Sequence, residues 1–203
     1  YPMPKQKLPK SMVISGVKRI NRVLVGRQAQ IHSDWPLAAE AAIDLAAILN
    51  QITVNDKGIA QKDELIPIAQ QNGLITVGEA HVYMVKGQGV VTAIDTESRV
   101  KTMTVKLDGY DGPIAVKLYT GPRIPSDETS VRDAVGFLNF GDFRSQTEYG
   151  KVANELNKRI ISQVLGGVDV ASLEGKTIRF TGTFGIRTFN LIDIDLNQII
   201  GSG

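Results

Sequence analysis

The sequence predicts a β-rich α+β fold class, on three observations. Apolar residues make up 42% of the 203 residues, which is enough to bury a core. Apolar and polar residues alternate at several places after Gly73, as in half-buried strands, whereas helical spacing is confined to the region before Gly73 and to one segment after Ser145. Short strands, with Gly182 inside one of them, favour a small closed barrel. We therefore expect a small antiparallel OB-like (oligonucleotide/oligosaccharide-binding) barrel, decorated by an N-terminal helical segment and one long amphipathic helix.

The N-terminal helical segment is predicted to contain two helices. Ser33 or Asp34 can cap the first, and Pro36 suits its first turn. A second helix is expected at about 62–71, interrupted by Pro67. The apolar face of the first helix comprises Ala38, Ala41, Ala42, Leu45, Ile48, Leu49 and Ile52.

Strands are predicted from the alternation that follows. The first three are expected at 81–85, 89–94 and 100–107. The inward residues of the later strands are then Ile114, Val116 and Leu118, followed by Ile178 and Phe180, and finally by Ile192, Ile194 and Leu196.

The long helix has the clearest signature in the chain. Ser145 and Glu148 form a capping-box pattern, and Glu155 can pair with Arg159 on the outer face. A short helix is also expected before it, at about 131–137. The apolar stripe of the long helix comprises Tyr149, Val152, Ala153, Leu156, Ile160 and Val164.

These elements suggest one globular domain at 33–203, with helices at 33–73 and the barrel at 79–203. Residues 1–32 are expected to form a spacer and a poorly defined segment, because the first ten residues hold three prolines and three lysines. The chain begins at Tyr1, which suggests either removal of a leader or anchor or a truncation made for convenience.

Composition excludes several classes of chemistry. Lys and Arg total 23 against 21 Asp and Glu, so the formal charge of +2 does not indicate a nucleic-acid-binding protein. The absence of cysteine excludes disulfides, thiolate nucleophiles and cysteine-ligated metals. His32 and His81 have no Ser/Asp or metal partner at motif spacing, so no hydrolase triad is indicated. We expect no metal and no cofactor.

The strongest candidate for a ligand site is Arg132, Asp133, Asp142 and Gln146. An arginine fork can grip a carboxylate or sugar hydroxyls, an aspartate can accept from hydroxyls, and neighbouring phenylalanine faces suit sugar rings. The preferred interpretation is architectural, because buried ion pairs commonly organise loops without chemistry. In that case Arg132 and Asp133 lock the loop onto the fold, while the nearby phenylalanines are core: Phe137, Phe140 and Phe143.

Two further patterns, a pair of aspartates and a group of glycines, can each be explained either by a functional site or by structure alone. Asp193 and Asp195 alternate on one strand face, which places their carboxylates roughly 6 to 7 Å apart, a spacing that suits a cation or an acid/base pair. An exposed edge explains them equally well. The glycines in 86–90 suggest a phosphate loop, but the third glycine of a dinucleotide fingerprint is replaced by Thr92, so a strand bend is preferred.

The order of residues from Gly121 to Phe184 resembles one bacterial family. It is the family of predicted periplasmic lipoproteins of unknown function whose genes often accompany ribose-type sugar ABC transporters. The similarity covers about 33–197, although Glu128 stands where we would expect a glycine. Its motifs are Gly121-Pro122, Thr129 to Asp133, Phe137, Phe140, Asp142-Phe143, Gln146, Tyr149, Val152-Ala153, Asn157, Gly175-Lys176 and Gly182-Thr-Phe184, with Lys86 to Val90, Asp95 and the Trp35 to Leu49 helix upstream.

The resemblance implies an extracytoplasmic protein, periplasmic or at the cell surface, anchored to a membrane by a segment absent from this chain. The expected function is a noncatalytic accessory domain that binds a sugar ABC transporter component or a small ligand. One alternative is a nucleic-acid-binding OB-like module, although Tyr83 and Tyr119 are isolated and no nucleic-acid partner is expected. A less favoured alternative is a sugar-modifying enzyme that uses Asp193 with Asp195, or Asp133 with Asp142.

Overall fold

The computed structural model describes residues 42–134, 138 and 140–201. The expected spacer at 1–32 and the start of the first predicted helix lie outside the described residues, as do His32 and Phe137. Among the residues that are described, no helix is both long and apolar enough to cross a membrane.

The described chain contains nine strands and four α-helices. The strands are β1 (Ile43–Asp44), β2 (Ile59–Gln61), β3 (Leu74–Ile75), β4 (Ala80–Ile94), β5 (Thr102–Leu107), β6 (Ala115–Tyr119), β7 (Thr177–Arg187), β8 (Asp193–Asp195) and β9 (Gln198–Gly201). The helices are α1 (Leu45–Leu49), α2 (Lys62–Asn72), α3 (Ser130–Asp133) and α4 (Gln146–Arg159).

A seven-stranded curled sheet forms the OB-like barrel. Its order is β1-β4-β5-β6-β9, with β3 and β7 also pairing with β4. The expected antiparallel pairing is confirmed for β4 with β5, β4 with β7 and β5 with β6. Two further pairs are parallel, β1 with β4 and β6 with β9, which the prediction did not include. The β6–β9 pair places the last described strand at the edge of the sheet, beside β6, a pairing that alternation within one strand cannot reveal.

β4 is the longest strand, and it shows that the two strands predicted at 81–85 and 89–94 are one. It pairs with β7 from Ala80 to Val90 and with β5 from Gly89 to Ile94. A Cβ at Gly89 would lie 2.2 Å from the carbonyl oxygen of Lys106, so the glycine permits a close approach of two strands. The glycines at 86–90 therefore belong to a curled strand and not to a loop.

The core lies inside the barrel and under α1 and α2. Tyr83 and Phe184 stack there, with ring centroids 4.9 Å apart. Ile194 and Leu196 are buried as predicted, whereas Ile192 is exposed. The inward residues include Leu45, Ile48, Leu49, Leu65, Val85, Leu107, Ile114, Val116, Ile186 and Ile199.

The first predicted helix is much shorter than expected in the described part. Ile43 and Asp44 form β1, and Asp44 then caps α1 by accepting the N–H of Ala47 at 3.0 Å. Pairing with β4 removes these residues from the helical pattern. Pro67 lies inside α2 without interrupting it, contrary to the prediction.

α4 confirms the cap predicted at Ser145. The Ser145 hydroxyl accepts the N–H of Glu148 at 3.2 Å, and the Glu148 carboxylate accepts the N–H of Arg144 at 3.1 Å. The helix continues as a π-helical turn at Ile160–Val164. Val164 is exposed and so does not belong to the predicted buried stripe, and Glu155 forms an ion pair with Lys158 at 2.8 Å.

Candidate functional site

The candidate site lies in the connection between β6 and α4. Its central element is α3, four residues long where 131–137 was predicted, with 135–137 outside the described residues. The Glu128 carboxylate accepts the N–H of Ser130 at 2.8 Å, and the Thr129 hydroxyl donates to Asp133 Oδ2 at 2.8 Å. Glu128 thus closes the turn with its side chain at the position where a glycine was expected.

Arg132 and Asp133 form a buried ion pair. Arg132 Nε lies 2.7 Å from Asp133 Oδ1, and each side chain is 8% exposed. Arg132 Nη1 also donates to the carbonyl oxygen of Tyr149 at 3.1 Å, which ties α3 to the first turn of α4. The structure therefore brings together the first two residues of the predicted site.

Tyr149 completes this cluster, and the sequence analysis assigned it to an apolar stripe and to the family motifs but not to the site. The Arg132 guanidinium carbon lies 3.5 Å from the centroid of the Tyr149 ring. The Tyr149 hydroxyl lies 3.2 Å from Asp133 Oδ1 and 3.3 Å from the carbonyl oxygen of Leu138, and its single hydrogen serves one acceptor at a time. We call Arg132, Asp133 and Tyr149 the loop lock.

The pKa of Tyr149 is raised by burial above all. The charge of Arg132 opposes this rise, and the charge of Asp133 adds to it. Tyr149 therefore remains a protonated hydrogen-bond donor at neutral pH, which is the state that the Asp133 carboxylate requires.

Two phenylalanines also pack against this tyrosine. The ring centroids of Phe140 and Phe143 lie 5.8 Å and 5.3 Å from that of Tyr149. Phe143 is half-buried, but Phe140 is 52% exposed, so the expectation that it belongs to the core is wrong.

Asp142 and Gln146 are the other two residues of the predicted site. Asp142 ends a 3₁₀ turn that begins at Phe140, and it is partly buried. Gln146 is the first residue of α4 and is exposed. The four predicted residues thus divide into a buried pair that binds within the protein and two residues nearer the surface.

Two contacts fasten this connection to the rest of the fold. The hydroxyls of Ser130 and Thr183 lie 3.0 Å apart, which joins α3 to β7. The buried amide of Asn157 donates to the carbonyl oxygen of Glu128 at 2.8 Å. Asn157 is a polar residue on the buried face of α4, and helical periodicity alone could have identified it as unusual.

The paired aspartates of β8 lie at an exposed edge. Asp193 accepts from the Gln61 amide at 2.7 Å, and Asp195 accepts from the Asn197 amide at 2.6 Å. No group of three or more His, Cys, Asp or Glu residues suitable for a metal ion occurs among 42–134, 138 and 140–201. The geometry favours the plain interpretation of these aspartates as edge residues.

His81 is buried inside the fold, at 1% exposure. Burial lowers the pKa of His81, and the nearby charge of Lys62 lowers it further, against a smaller opposing effect of Glu79. The neutral imidazole is a packed residue of β4.

A small apolar cleft lies between β6, β7 and β9. Leu118, Phe180, Phe184 and Ile199 are among its lining residues, and it has room for about one water molecule. This cleft is a packing feature and is too small for a sugar.

Comparison with known proteins assigns the chain to a family. The family described as "Predicted periplasmic lipoprotein (DUF2291)" matches residues 31–196. The chain belongs to this family. The protein is accordingly extracytoplasmic and membrane-anchored, and it has an OB-like fold.

A solved structure supports the fold independently. A crystal structure of an OB-fold protein from Thermotoga maritima is similar over 92% of this chain and 97% of that one, with a TM-score of 0.56 and 16% sequence identity. At this identity the similarity shows the fold alone. No curated protein matches the chain.

Proposed function

We propose that this lipoprotein is a noncatalytic accessory domain, and that it binds a partner through the surface around Phe140. The observation that carries the proposal is the loop lock. It is buried, it uses the charges of Arg132 and Asp133 within the protein, and it supports an aromatic ring that remains 52% exposed. A rigid, exposed aromatic side chain is a common anchor of protein interfaces.

The four residues predicted from the sequence then have two different roles. Arg132 and Asp133 are positioning residues, because their polar atoms bond to each other and to Thr129 and Tyr149. Asp142 lies in the same 3₁₀ turn as Phe140, and Gln146 begins the helix that follows, so we assign both to a polar rim of this surface. An aromatic anchor with a polar rim is the composition expected of a specific interface.

The partner that we propose is an extracytoplasmic component of a sugar ABC transporter, as the family resemblance implies. A small sugar-like ligand is the second candidate, since an aromatic face with an amide and a carboxylate also suits a sugar ring. Nucleic-acid binding has less support, because Tyr83 is fully buried and Tyr119 is half-buried, so neither presents an open stacking face.

The test is a pull-down of the anchored full-length protein from its native membrane, with transporter subunits and bound small molecules both analysed. We expect recovery of transporter subunits, and its loss in Phe140→Ser. The matched control is Val164→Ser, since Val164 is a similarly exposed apolar residue, at 53%, in the turn after α4. Recovery of neither subunits nor small molecules, or equal recovery by both variants, would contradict the proposal.

A further inference from the structure

Two neighbouring loops at one end of the barrel carry exposed apolar side chains. The first loop is the hairpin between β3 and β4, where Val77 is fully exposed. The second follows β7, where Phe189 is 62% exposed and Ile192 is 76% exposed, with Leu191 between them at 47%. We call Val77, Phe189, Leu191 and Ile192 the apolar tip. Exposed apolar groups in this density mark contact surfaces.

Hydrogen bonds at their bases hold the two loops together. The Thr188 hydroxyl donates to the carbonyl oxygen of Glu79, and the N–H of Lys62 donates to the carbonyl oxygen of Ile192 at 2.9 Å. Lys62 Nζ also lies 2.6 Å from Glu79 Oε2. The tip is therefore presented on fixed supports, and binding through it requires little ordering of the backbone.

The loops themselves carry no charge. Residues 73–78 and 188–192 contain no Asp, Glu, Lys or Arg. Of the charged residues at their bases, Lys62 pairs with Glu79 and Arg187 with Asp127 at 3.3 Å, whereas Asp193 accepts a hydrogen bond from the Gln61 amide. Binding through the tip is therefore driven by the transfer of apolar surface out of water, with little electrostatic attraction to an anionic surface.

The direction of β1 shows on which side of the barrel the described chain begins. β1 runs parallel to β4, with Ile43 opposite Val85 and Asp44 opposite Lys86. The polypeptide therefore enters β1 from the side of Ala80, where β4 begins and the apolar tip lies. The described chain therefore begins, at Ala42, on the same side of the barrel as the tip, and its family is described as a periplasmic lipoprotein.

We propose that the apolar tip docks into the lipid surface to which the protein is anchored, with its side chains at the boundary of headgroups and acyl chains. The tether keeps the tip at a high effective concentration beside the bilayer, so modest affinity is sufficient. This inference does not depend on the surface around Phe140: it concerns the orientation of the domain and not its partner.

The cysteine-free sequence allows a direct test. Ile192→Cys, in the 203-residue chain, is labelled with an environment-sensitive fluorophore and mixed with phosphatidylcholine vesicles. We expect a blue shift that persists at high salt, and no shift for the matched Val164→Cys control. Val164 precedes the turn at Val170–Leu173, which packs near Val91 towards the other end of β4. Phe189→Ser should weaken partitioning into vesicles about tenfold.

Three results would overturn the proposal. Absence of any shift, even at a lipid concentration high enough to detect the modest affinity expected without the tether, would exclude insertion. A label already shielded without vesicles would show that another part of the chain covers the tip or, if the shielding depends on protein concentration, that a second copy does. A shift that requires phosphatidylglycerol and disappears with salt would show electrostatic adsorption elsewhere on the protein.

Discussion

Replacement of Arg132 by methionine tests whether the loop lock holds the β6–α4 connection. Met fills a similar volume but cannot donate to Asp133 or to the Tyr149 carbonyl oxygen. Loss of one partner of a buried ion pair costs about 3 to 5 kcal/mol when the other charge is left uncompensated. Here Asp133 keeps hydrogen bonds from Thr129 and Tyr149, so we expect the lower end, about 3 kcal/mol.

Three contributions are consistent with that magnitude. The charge-assisted bond between Arg132 and Asp133 accounts for about 1.5 to 3 kcal/mol. The cation–π contact with the Tyr149 ring adds about 0.5 to 2 kcal/mol. The Tyr149 carbonyl adds little, because it lies inside α4 and its helical hydrogen bond remains.

The assay is urea denaturation at neutral pH, extended to a double-mutant cycle with Asp133→Asn. The double variant should lose less than the sum of the two single losses, with a coupling of about 1.5 kcal/mol or more. Arg187→Met is the matched control, since its ion pair with Asp127 is largely exposed and should contribute less than about 1 kcal/mol. A loss below about 1 kcal/mol for Arg132→Met, or strictly additive losses, would refute the reasoning.

Two further predictions concern the barrel and the turn before α3. Gly89→Ala should destabilise the protein by more than about 3 kcal/mol, because its Cβ would lie 2.2 Å from the Lys106 carbonyl oxygen. The control Gly150→Ala, which has open space in α4, should stabilise it by about 0.5 to 1 kcal/mol. Thermal unfolding compares the two variants, and equal effects would contradict the close approach. Burial raises the pKa of Glu128 above its ordinary 4.5, so the folded protein favours the protonated carboxyl. The stability that this protonation contributes is fully present below pH 4.5 and is lost as the pH rises through the folded-state pKa. Glu128→Gln, which keeps an acceptor for Ser130, should therefore be more stable than the natural protein at neutral pH and equal to it in acid, and a pH series of urea melts that showed the reverse order would refute this.

The fold class followed from the sequence because alternation and capping are local signals. The residues of β5 and β6 alternate as predicted, and Ser145 caps α4 as predicted. The parallel pairs β1–β4 and β6–β9 join segments far apart in the chain, and no local pattern specifies them. The strand bend preferred for the glycines of β4 agrees with the curled strand, but the sequence divided this strand in two, because the reason for Gly89, the close approach of Lys106, lies in another strand.

The candidate site was predictable only in part for the same reason. Arg132 and Asp133 are adjacent in sequence, so their pairing could be anticipated. Tyr149 joins them only after α4 packs against α3, and its position in an apolar stripe concealed its hydroxyl. Phe140 was assigned to the core from its residue type, although its neighbours leave half of the ring exposed.

The two-stranded ladder of β2 and β8 has a consequence for how the protein is made. It joins Gln61 to Asp193, 132 residues later, and the N-terminal helices complete their core with Ile194 and Leu196. Such non-local pairing slows folding, because a long loop must close before any contact is gained. The emerging chain thus cannot assemble its native state until its final strands are available. A polypeptide destined for export benefits from this delay, since a late-folding chain stays unfolded while it crosses the membrane.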